Sequence, residues 1–484
     1  MNYKISTKKR CLSAMFFWLS LTFLETKTIV QKLPSTITGS LNKLIDENRK
    51  KASIGIKVAT LDTKRTLYQK NADTLFIPAS NTKLFTAGAA LHILGPSFRY
   101  ETVLYTDRLY TTARMSSLYV KGSGDPTLLS QDLEKAAHTL RAKGIKEIRG
   151  NIVVDISIFD AQPTALGWAP GDGPIFDKSQ VGGFIVDHSC ITVRVKPAHA
   201  PGRKPLVTIE PSNDLITVEN KAQTTTHAEK QAIHTFLTPD NKLIITGKIA
   251  LKSTQKFYRI ALHNPELFAA HTLRVYLKKQ GIVHRGKIVA GRVPPKALIL
   301  VRHYSKPAET IIKTMMKKSD NLYADTLFKT IGARVYGTPG TWEKGRKAVE
   351  NFLTRTMKLP AHRYFLNDGS GLSRLNKVSP TALIEFLTAM YQKSAFKKQF
   401  IESFPISGTD GSLRLRMQHK TTKGKILAKT GSLTGVSSLS GYITLPGGKH
   451  LAFASMTNRS KGSAFSFKQT LEDKLCSLLT TDLF

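Results

Sequence analysis

The spacing of apolar residues predicts similar elements at the two ends of the chain. Residues 35–52 carry apolar side chains at helical spacing, and the stretches 53–62 and 65–70 alternate as a strand pair. At the other end, residues 425–458 have the pattern of a β-meander, and residues 465–480 that of a last helix. This symmetry predicts that both ends belong to one domain and that the middle of the chain is an insertion.

The middle of the chain changes character twice. From about residue 99 to 250 short β-rich stretches dominate, interrupted by a predicted helix at 131–143 and followed by another at 265–282. Residues 161–174 are too rich in Pro and Gly for regular structure and are predicted to form a long loop that lines a functional site. Residues 305–337 are strongly helical, with a break at Ser319-Asp320-Asn321.

Ser80-Asn81-Thr82-Lys83 opens a predicted buried helix that Gly95-Pro96 ends. At a helix start Ser80 and Lys83, three residues apart, project from one face. A hydroxyl beside an amine is one way to build an activated nucleophile. An isolated S-x-x-K pattern is short, however, and favours the simpler interpretation of Ser80 as a helix cap and Lys83 as a solvated charge.

Composition limits the class of protein. A chain of 484 residues, 41% hydrophobic and 22% charged, predicts a soluble globular protein of two or three domains. The 72 Lys and Arg against 34 Asp and Glu give a formal net charge of +38. The basic residues are spread over the whole length, so an anionic partner is expected but nucleic acid is not.

The N-terminus predicts export. Basic residues precede the apolar run 11–24, the order of a secretory signal and too short for a comfortable membrane span. Residues 1–30 are therefore predicted to be a signal peptide or, if uncleaved, a membrane anchor, and the protein to be periplasmic or otherwise in the cell envelope. The three cysteines form no disulfide framework, and the 13 histidines include no H-E-x-x-H motif, so neither a metal nor another cofactor is expected.

Three short motifs, taken together, favour a nucleophile at Ser80 over a helix cap. They are Ser80-Asn81-Thr82-Lys83 at a helix start, Ser319-Asp320-Asn321 at a helix break, and Lys429-Thr430-Gly431 on the first strand of the meander. Each alone is weak. Together, in this order and in these local structures, they are a specific set.

The residue types fit acyl transfer. Ser80 would attack a carbonyl, and Lys83 would be the base, since burial beside other cations favours a neutral amine. Ser319 would pass a proton to the leaving amine, and Asn321 would hold the substrate amide. The substrate's terminal carboxylate would be bound by Lys429 and Thr430. Gly431 would let a substrate strand approach the backbone, and the N–H groups of Ser80 and Ser432 would be the oxyanion donors.

With these motifs the chain resembles the class C low-molecular-mass penicillin-binding proteins, which are D-alanyl-D-alanine carboxypeptidases and endopeptidases. The resemblance extends to 122–129, 150–160, 367–376, 405–416 and 428–443 and covers essentially the whole exported chain. It implies that the protein hydrolyses peptidoglycan stem peptides through a Ser80 acyl-enzyme. It also implies that penicillin acylates the enzyme and that β-lactam antibiotics are further ligands.

The resemblance also implies a fold. We expect an α/β (α+β) transpeptidase-like, β-lactamase-like domain, with an antiparallel sheet flanked by helices and two nested β-rich inserted domains. The boundaries it implies are 31–105 with 293–484 for domain I, 106–130 with 210–292 for domain II, and 131–209 for domain III. The 239 positions between Ser80 and Ser319 are consistent with such an insertion.

Two further positions come from the resemblance alone. Asp155 matches a position that reaches the active site and favours the free amine of a diamino-acid stem, although a strand-end turn is an equal alternative. Arg374 matches a residue lining the same pocket. Asp410 is predicted to be a structural turn residue.

Two other functions remain open at this point. A β-lactamase-like hydrolase would share the first and third motifs but needs an extra deacylating group, which no motif here provides. A non-catalytic envelope protein that binds polyanions or peptidoglycan would explain the charge of +38, but such a scaffold has no need of all five polar motif residues. The sequence does not decide between carboxypeptidase and endopeptidase activity or fix the oligomeric state.

Overall fold

The two ends of the chain meet in one antiparallel sheet. A computed structural model describes residues 33–50, 52–169, 178–226, 232–459 and 467–481. The predicted signal or anchor at residues 1–30 lies outside this part of the chain.

The helices lie mostly where apolar periodicity predicts them. In chain order they are α1 Ser35–Arg49, α2 Thr82–Ile93, α3 Ser130–Ala142, α4 Pro265–Lys279, α5 Ala308–Lys318, α6 Asn321–Tyr336, α7 Trp342–Asn351, α8 Pro380–Gln392, α9 Lys397–Glu402 and α10 Lys474–Thr481. π-Helical segments extend α7 over Phe352–Thr356 and precede α10 over Lys468–Asp473.

The strands are short in the middle of the chain and long at its ends. In chain order they are β1 Ser53–Thr60, β2 Thr66–Lys70, β3 Glu101–Thr106, β4 Leu109–Thr111, β5 Arg114–Met115, β6 Leu118–Lys121, β7 Glu147–Ile148, β8 Ile152–Asp155, β9 Cys190–Lys196, β10 Leu206–Glu210, β11 Thr217–Asn220, β12 Gln223–Thr225, β13 Ile233–Leu237, β14 Lys242–Ala250, β15 Lys256–Ala261, β16 Val283–His284, β17 Ile288–Ala290, β18 Leu298–Tyr304, β19 Tyr364–Phe365, β20 Lys377–Val378, β21 Ile426–Leu433, β22 Val436–Thr444 and β23 His450–Asn458.

The main sheet has the strand order β2-β1-β23-β22-β21, and every pair in it is antiparallel. β1 pairs with β23 along its whole length, from Ser53 opposite Asn458 to Thr60 opposite Leu451. The N- and C-terminal parts therefore form a single sheet, as the sequence symmetry predicts. β21 is left as an edge strand.

Helices cover both faces of this sheet because its inner strands are apolar on both sides. On one face α2, α6 and α8 pack Phe85, Phe328 and Phe386 into a cluster that also contains Met456 of β23. On the other face α1 and α10 pack against Phe453 and its neighbours. The result is the predicted layered arrangement of helix, antiparallel sheet and helix.

Helix α2 lies at the centre of the larger cluster, and ten of its residues, from Thr82 to Leu91, are buried. Its small residues permit this depth. A Cβ on Gly88 would stand 2.6 Å from the ring of Phe386. The start of this helix is consequently held by packing on all sides.

The middle of the chain builds a second apolar cluster, which runs from Leu104 to Ile282. It joins α3 and α4 to several small sheets, among them the five-stranded order β17-β8-β6-β3-β18. Residues of both expected inserted domains contribute to this cluster. The predicted domain boundaries stay a prediction.

Some elements were not predicted. β12, β13, β15 and α9 are short, and polar or charged residues interrupt their apolar positions. Their conformation depends on pairing with β9 and β14 or on packing against α8, which local periodicity does not reveal.

The segment that precedes β21 is fixed to the C-terminal helix by a buried charge network. Arg416 donates to Glu472 Oε2 at 2.9 Å and to Asp473 Oδ1 at 2.7 Å, and the Glu472 side chain is 1% exposed. We predict that Arg416→Met lowers the free energy of unfolding by about 3 kcal/mol, because a buried carboxylate then loses its counter-ion. Equilibrium denaturation measures this loss.

The matched control is Lys347→Met, which removes an exposed i,i+4 pair with Glu343. It should cost no more than about 0.5 kcal/mol. The Arg416→Met loss should shrink at acid pH, since protonated Glu472 is cheaper to bury. Equal losses in the two variants would contradict the prediction.

Candidate active site

Ser80 lies in a tight turn that the rest of the fold holds in place. The 3₁₀ turn Ala79–Asn81 leads directly into α2, and Ala79 adopts a left-handed φ of 46°. Non-glycine residues in this region store strain that surrounding contacts must offset. Ser438 Oγ donates to Pro78 O at 2.7 Å, and Asn81 Nδ2 donates to Ser438 Oγ at 2.7 Å. The turn is thereby bound to the main sheet.

The simpler interpretation of Ser80 and Lys83 does not hold. The residue at the cap position is Asn81, which makes no side-chain capping bond, and Lys83 is fully buried. Lys83 Nζ donates to Ser80 Oγ at 2.8 Å. It also donates to Asn321 Oδ1 at 2.6 Å and to Ser370 O at 2.7 Å. All three acceptors are neutral oxygens.

The break between α5 and α6 presents Ser319 and Asn321 to this group. Ser319 has a left-handed φ of 59°, and Asp320 caps α6 by accepting from Tyr323 N at 3.0 Å. The chain therefore turns sharply, so that Asn321 contacts Lys83 while Ser319 Oγ accepts from Lys429 Nζ at 2.7 Å.

Lys429 reaches the site from edge strand β21. Its side chain is fully buried and also donates to Thr430 O at 2.7 Å. Burial, together with the charges of Lys83 and Lys468, holds the pKa of Lys429 well below its ordinary value. The neighbouring Thr430 hydroxyl is half-buried and donates to Ser412 Oγ at 2.9 Å.

Gly431 lets β21 approach the nucleophile's backbone. A Cβ there would lie 2.2 Å from Ser438 Oγ and 3.0 Å from Ser80 N. Only glycine fits this position. The amide nitrogen of Ser80 and the outer edge of β21 at Gly431-Ser432 are consequently close to each other, and the Ser432 side chain is exposed.

Two carboxylates that the sequence analysis missed shape the floor of the site. Asp325 Oδ1 accepts from Gly369 N and Ser370 N, both at 2.9 Å, and so places the Ser370 carbonyl beside Lys83. Burial and the nearby Asp368 raise the pKa of Asp325 well above its ordinary value. The available signal was an acidic residue on the buried face of a predicted helix, an unusual place for a charge.

The Pro- and Gly-rich loop contacts the same floor. Trp168 Nε1 donates to Asp368 Oδ2 at 2.9 Å. The backbone of Trp168 also forms an isolated antiparallel β-bridge with Ser373. Residues 170–174 of the predicted lining loop lie outside the described residues.

The side chains of the two resemblance-based residues, Asp155 and Arg374, contact backbone groups. Asp155 is buried at the end of β8, where its carboxylate accepts from Ser157 N and Val293 N at 3.1 Å each. Arg374 donates to Thr434 O at 2.7 Å, just past the end of β21. Their predicted roles stay predictions.

Asp410 has the contacts of a structural residue. It accepts from Ile406 N at 2.9 Å and from Lys317 Nζ at 2.6 Å. These bonds hold the loop that carries Ser412 against α5.

The described residues offer neither a metal-ligand cluster nor a membrane-spanning helix. They contain no group of three or more His, Cys, Asp or Glu side chains arranged to hold a metal ion. In the same part of the chain no helix has both the length and the apolar character needed to cross a bilayer.

Comparisons with known proteins agree with this geometry. The family model described as the D-Ala-D-Ala carboxypeptidase 3 (S13) family matches residues 37–478. A D-alanyl-D-alanine carboxypeptidase of Actinomadura sp. is 30% identical over 426 residues, which are 85% of this chain and 78% of that protein. D-alanyl-D-alanine carboxypeptidase DacB of Haemophilus influenzae is 28% identical over 431 residues, 88% and 89% of the two chains.

A solved structure extends the similarity to the fold. Penicillin binding protein 4 (dacB) from Haemophilus influenzae superposes with a TM-score of 0.79 at 27% identity, over 90% of this chain and 97% of that one. The same protein complexed with a novel β-lactam superposes with a TM-score of 0.75, over 91% and 99% of the chains. The predicted fold class is confirmed.

The close packing of Gly371 against the turn that carries Ser80 can be tested by substitution. Its φ is +88°, and a Cβ would lie 1.8 Å from Ala79 O, beside Ser80. We predict that Gly371→Ala lowers the free energy of unfolding by several kcal/mol, about 3 or more, since backbone must move in addition to the strain of a left-handed alanine. Denaturant melts measure this loss.

Gly95→Ala is the control, since Gly95 has a φ of +87° with no atom within 4 Å of the new Cβ. It should cost only the conformational strain, about 1–2 kcal/mol. The same loss at both positions would mean that the close contact with Ala79 does not matter.

Proposed function

The chain belongs to the D-Ala-D-Ala carboxypeptidase 3 (S13) family, and from this premise we propose that Ser80 is the nucleophile of a serine-type D-Ala-D-Ala peptidase. The family resemblance predicted from the motifs is confirmed, and the protein is a serine-type carboxypeptidase hydrolase. The observation that carries the assignment of Ser80 is its 2.8 Å contact with the buried amine of Lys83.

Acylation follows from the positions of the side chains. Neutral Lys83 accepts the Ser80 proton while Oγ forms a bond to the carbonyl carbon of the penultimate D-Ala. The burial of two amines, Lys83 and Lys429, in one site favours loss of a proton from one of them. The oxyanion of the tetrahedral intermediate accepts from the amides of Ser80 and Ser432, which lie on facing backbone segments.

Collapse of the intermediate breaks the C–N bond. The leaving amine takes up the proton that Lys83 removed from Ser80, relayed through the Ser319 hydroxyl, which is itself hydrogen-bonded to Lys429. Lys83 is then neutral again. Water then attacks the acyl-enzyme with Lys83 as base, which releases the carboxylic acid product and restores the Ser80 hydroxyl. Asn321, held by Lys83 at 2.6 Å, orients the substrate amide.

The edge of β21 accounts for binding of an extended peptide. β21 ends the sheet, and its outer edge meets residues 405–407 near Leu427, where Ala428 N donates to Pro405 O. Beyond that contact, around Thr430 to Ser432, the edge can accept a substrate segment as an added strand. Lys429 and the Thr430 hydroxyl lie where this segment's terminal carboxylate would end. That carboxylate would supply a counter-ion for buried Lys429, and so favour its charged form.

The substrates we infer are peptidoglycan stem peptides, with β-lactams as acylating inhibitors. Support comes from the names of the relatives and from the β-lactam complex of the Haemophilus influenzae protein. Both terminal D-Ala removal and cleavage of D-amino-acid cross-links fit the same acyl-enzyme. An envelope location follows from this substrate.

The first test is covalent labelling. Purified protein incubated with a fluorescent penicillin should gain one adduct by mass spectrometry, mapped to Ser80 and hydrolysed slowly. Ser80→Ala should lose all label, because it removes the hydroxyl that the buried Lys83 amine contacts at 2.8 Å. Ser394→Ala, outside the site, is the control and should label like the parent protein.

Label retained by a folded Ser80→Ala variant would contradict the assignment. Rapid turnover of the penicillin would instead favour the β-lactamase-like alternative. Product analysis on a stem peptide and on a cross-linked dimer would show which bond is cleaved.

The second test concerns the charge on Lys429. Because its pKa lies below the ordinary value, the cation is present at low pH and is lost as pH rises through that lowered pKa. We predict that KM for peptides ending in D-Ala-D-Ala carboxylate rises with pH over this range, beginning below the value of about 10.4 expected for a free lysine. Steady-state kinetics from pH 6 to 10 measures it.

The same peptide with a C-terminal amide is the matched control. It lacks the carboxylate, so its KM should be high and nearly independent of pH. Lys429→Met should remove the difference between the two peptides. An identical pH profile of KM for acid and amide would exclude Lys429 from carboxylate recognition.

A further inference from the structure

His188 contacts the active site from the inserted middle of the chain. Its Nε2 lies 2.6 Å from Oδ2 of Asp320, the central residue of the Ser319-Asp320-Asn321 motif. The two side chains are 23% and 13% exposed, so the contact is largely shielded from water. His188 belongs to none of the three motifs and is 132 positions from Asp320.

Asp320 joins this histidine to the catalytic residues. Its other oxygen, Oδ1, accepts from Tyr323 N and caps α6, and the His188 ring lies 5.5 Å from the Tyr323 ring. Ser319 and Asn321 flank Asp320 and contact Lys429 and Lys83. A shift of the Asp320 carboxylate would therefore move both neighbours relative to the two lysines.

The turn that carries His188 is strained and well supported. Asp187, His188 and Ser189 have left-handed φ values of 48°, 68° and 53° in succession. Such a conformation is strained for a non-glycine residue and persists only where the surroundings determine it. Asp187 Oδ1 accepts from Ser130 N at 3.1 Å, and Ser189 Oγ donates to Gln180 O at 3.0 Å. These bonds hold the imidazole toward Asp320.

We propose that His188 is a positioning residue for the hydrolytic reaction, and that through Asp320 it holds Ser319 and Asn321 against Lys429 and Lys83. This inference rests on the proposed function of Ser80. It makes the inserted part of the chain a contributor to the geometry of acylation rather than only to substrate access.

The charge state of the contact is set by its neighbours. Burial alone would lower the pKa of His188, but the hydrogen bond to Asp320 and the nearby Cys190 raise it to about 9. Burial likewise opposes the charge of Asp320, and His188 holds the pKa of that carboxyl below its ordinary value. Three titratable groups face His188: Asp320 and Tyr323 at the start of α6, and Cys190 at the start of β9. Burial raises the pKa of Tyr323. Asp187 adjoins His188 in the chain, and Lys83 acts on Asp320 through its charge.

The test compares His188 with a second His–Asp pair of similar geometry. His271 Nδ1 lies 2.7 Å from Asp214 Oδ1 within the inserted part and contacts none of the motif residues in the described structure. We expect His188→Ala to slow acylation by fluorescent penicillin by about 10- to 100-fold at pH 7, the loss of one hydrogen bond between charged groups. His271→Ala should acylate at the parent rate.

Two conservative variants separate positioning from folding. His188→Gln keeps a donor without charge and should show an intermediate loss, about tenfold. His188→Arg keeps the charge at every pH, and an open cleft of about 630 Å³ beside His188 and Tyr323 gives the longer side chain room. The Arg variant should be acylated faster than His188→Gln at pH 7. It should keep this advantage at pH 10, where the parent protein has lost most of its own. Thermal melts establish that each variant is folded.

The pH profile gives the distinguishing signature. The ratio of parent to His188→Gln acylation rates should be large below pH 9 and fall toward one as the pH rises through about 9, where His188 loses its proton. Titration of Lys83 and Lys429 affects both proteins and cancels in the ratio.

Parent-like acylation by folded His188→Ala would overturn the inference. So would an equal loss in His271→Ala, a ratio independent of pH, or an Arg variant no better than the Gln variant. These outcomes leave the proposed function intact. That function fails separately, if Ser80→Ala still takes up label.

Discussion

The buried amine of Lys83 is the constraint on which the rest of the site depends. A fully buried amine requires hydrogen-bond partners, and Lys83 finds them on Ser80 in the turn before its own helix, on Asn321 and on the Ser370 carbonyl. These come from three segments far apart in sequence. The same contacts that satisfy the amine bring it to the Ser80 hydroxyl, so stability and chemistry depend on one set of bonds.

Each of those segments is in turn fixed by a polar group that does no chemistry in our proposal. Asp325 holds the loop that carries Ser370, and Asp320 caps the helix that carries Asn321. Asn81 binds the turn at Ser80 to the Lys429 carbonyl at 3.2 Å. The site is thus built in two layers, in which an outer set of buried hydrogen bonds determines the rotamers of the inner set.

Several contacts join the inserted part of the chain to this arrangement. Besides His188 at Asp320 and Trp168 at Asp368, the fully buried Lys329 of α6 donates to Asp160 Oδ1 at 2.6 Å and lies over the Trp342 ring. A buried ion pair of this kind contributes more to specific docking than to net stability. The insertion and the catalytic helices are therefore packed together by polar contacts that tolerate little displacement.

The local elements and the candidate chemistry can be read from the sequence alone. Helical spacing after Ser80, the break at Ser319 and the meander around Lys429 identified three motifs in their correct local structures, because backbone propensity and short-range periodicity are written into neighbouring residues. Packing in three dimensions alone brings Asp325, Ser370 and His188 into contact with the motif residues or their neighbours, and sets Asp155 against backbone amides at the end of β8. Contacts between residues more than a hundred positions apart depend on how sheets and helices pack, and no local pattern in one sequence encodes them.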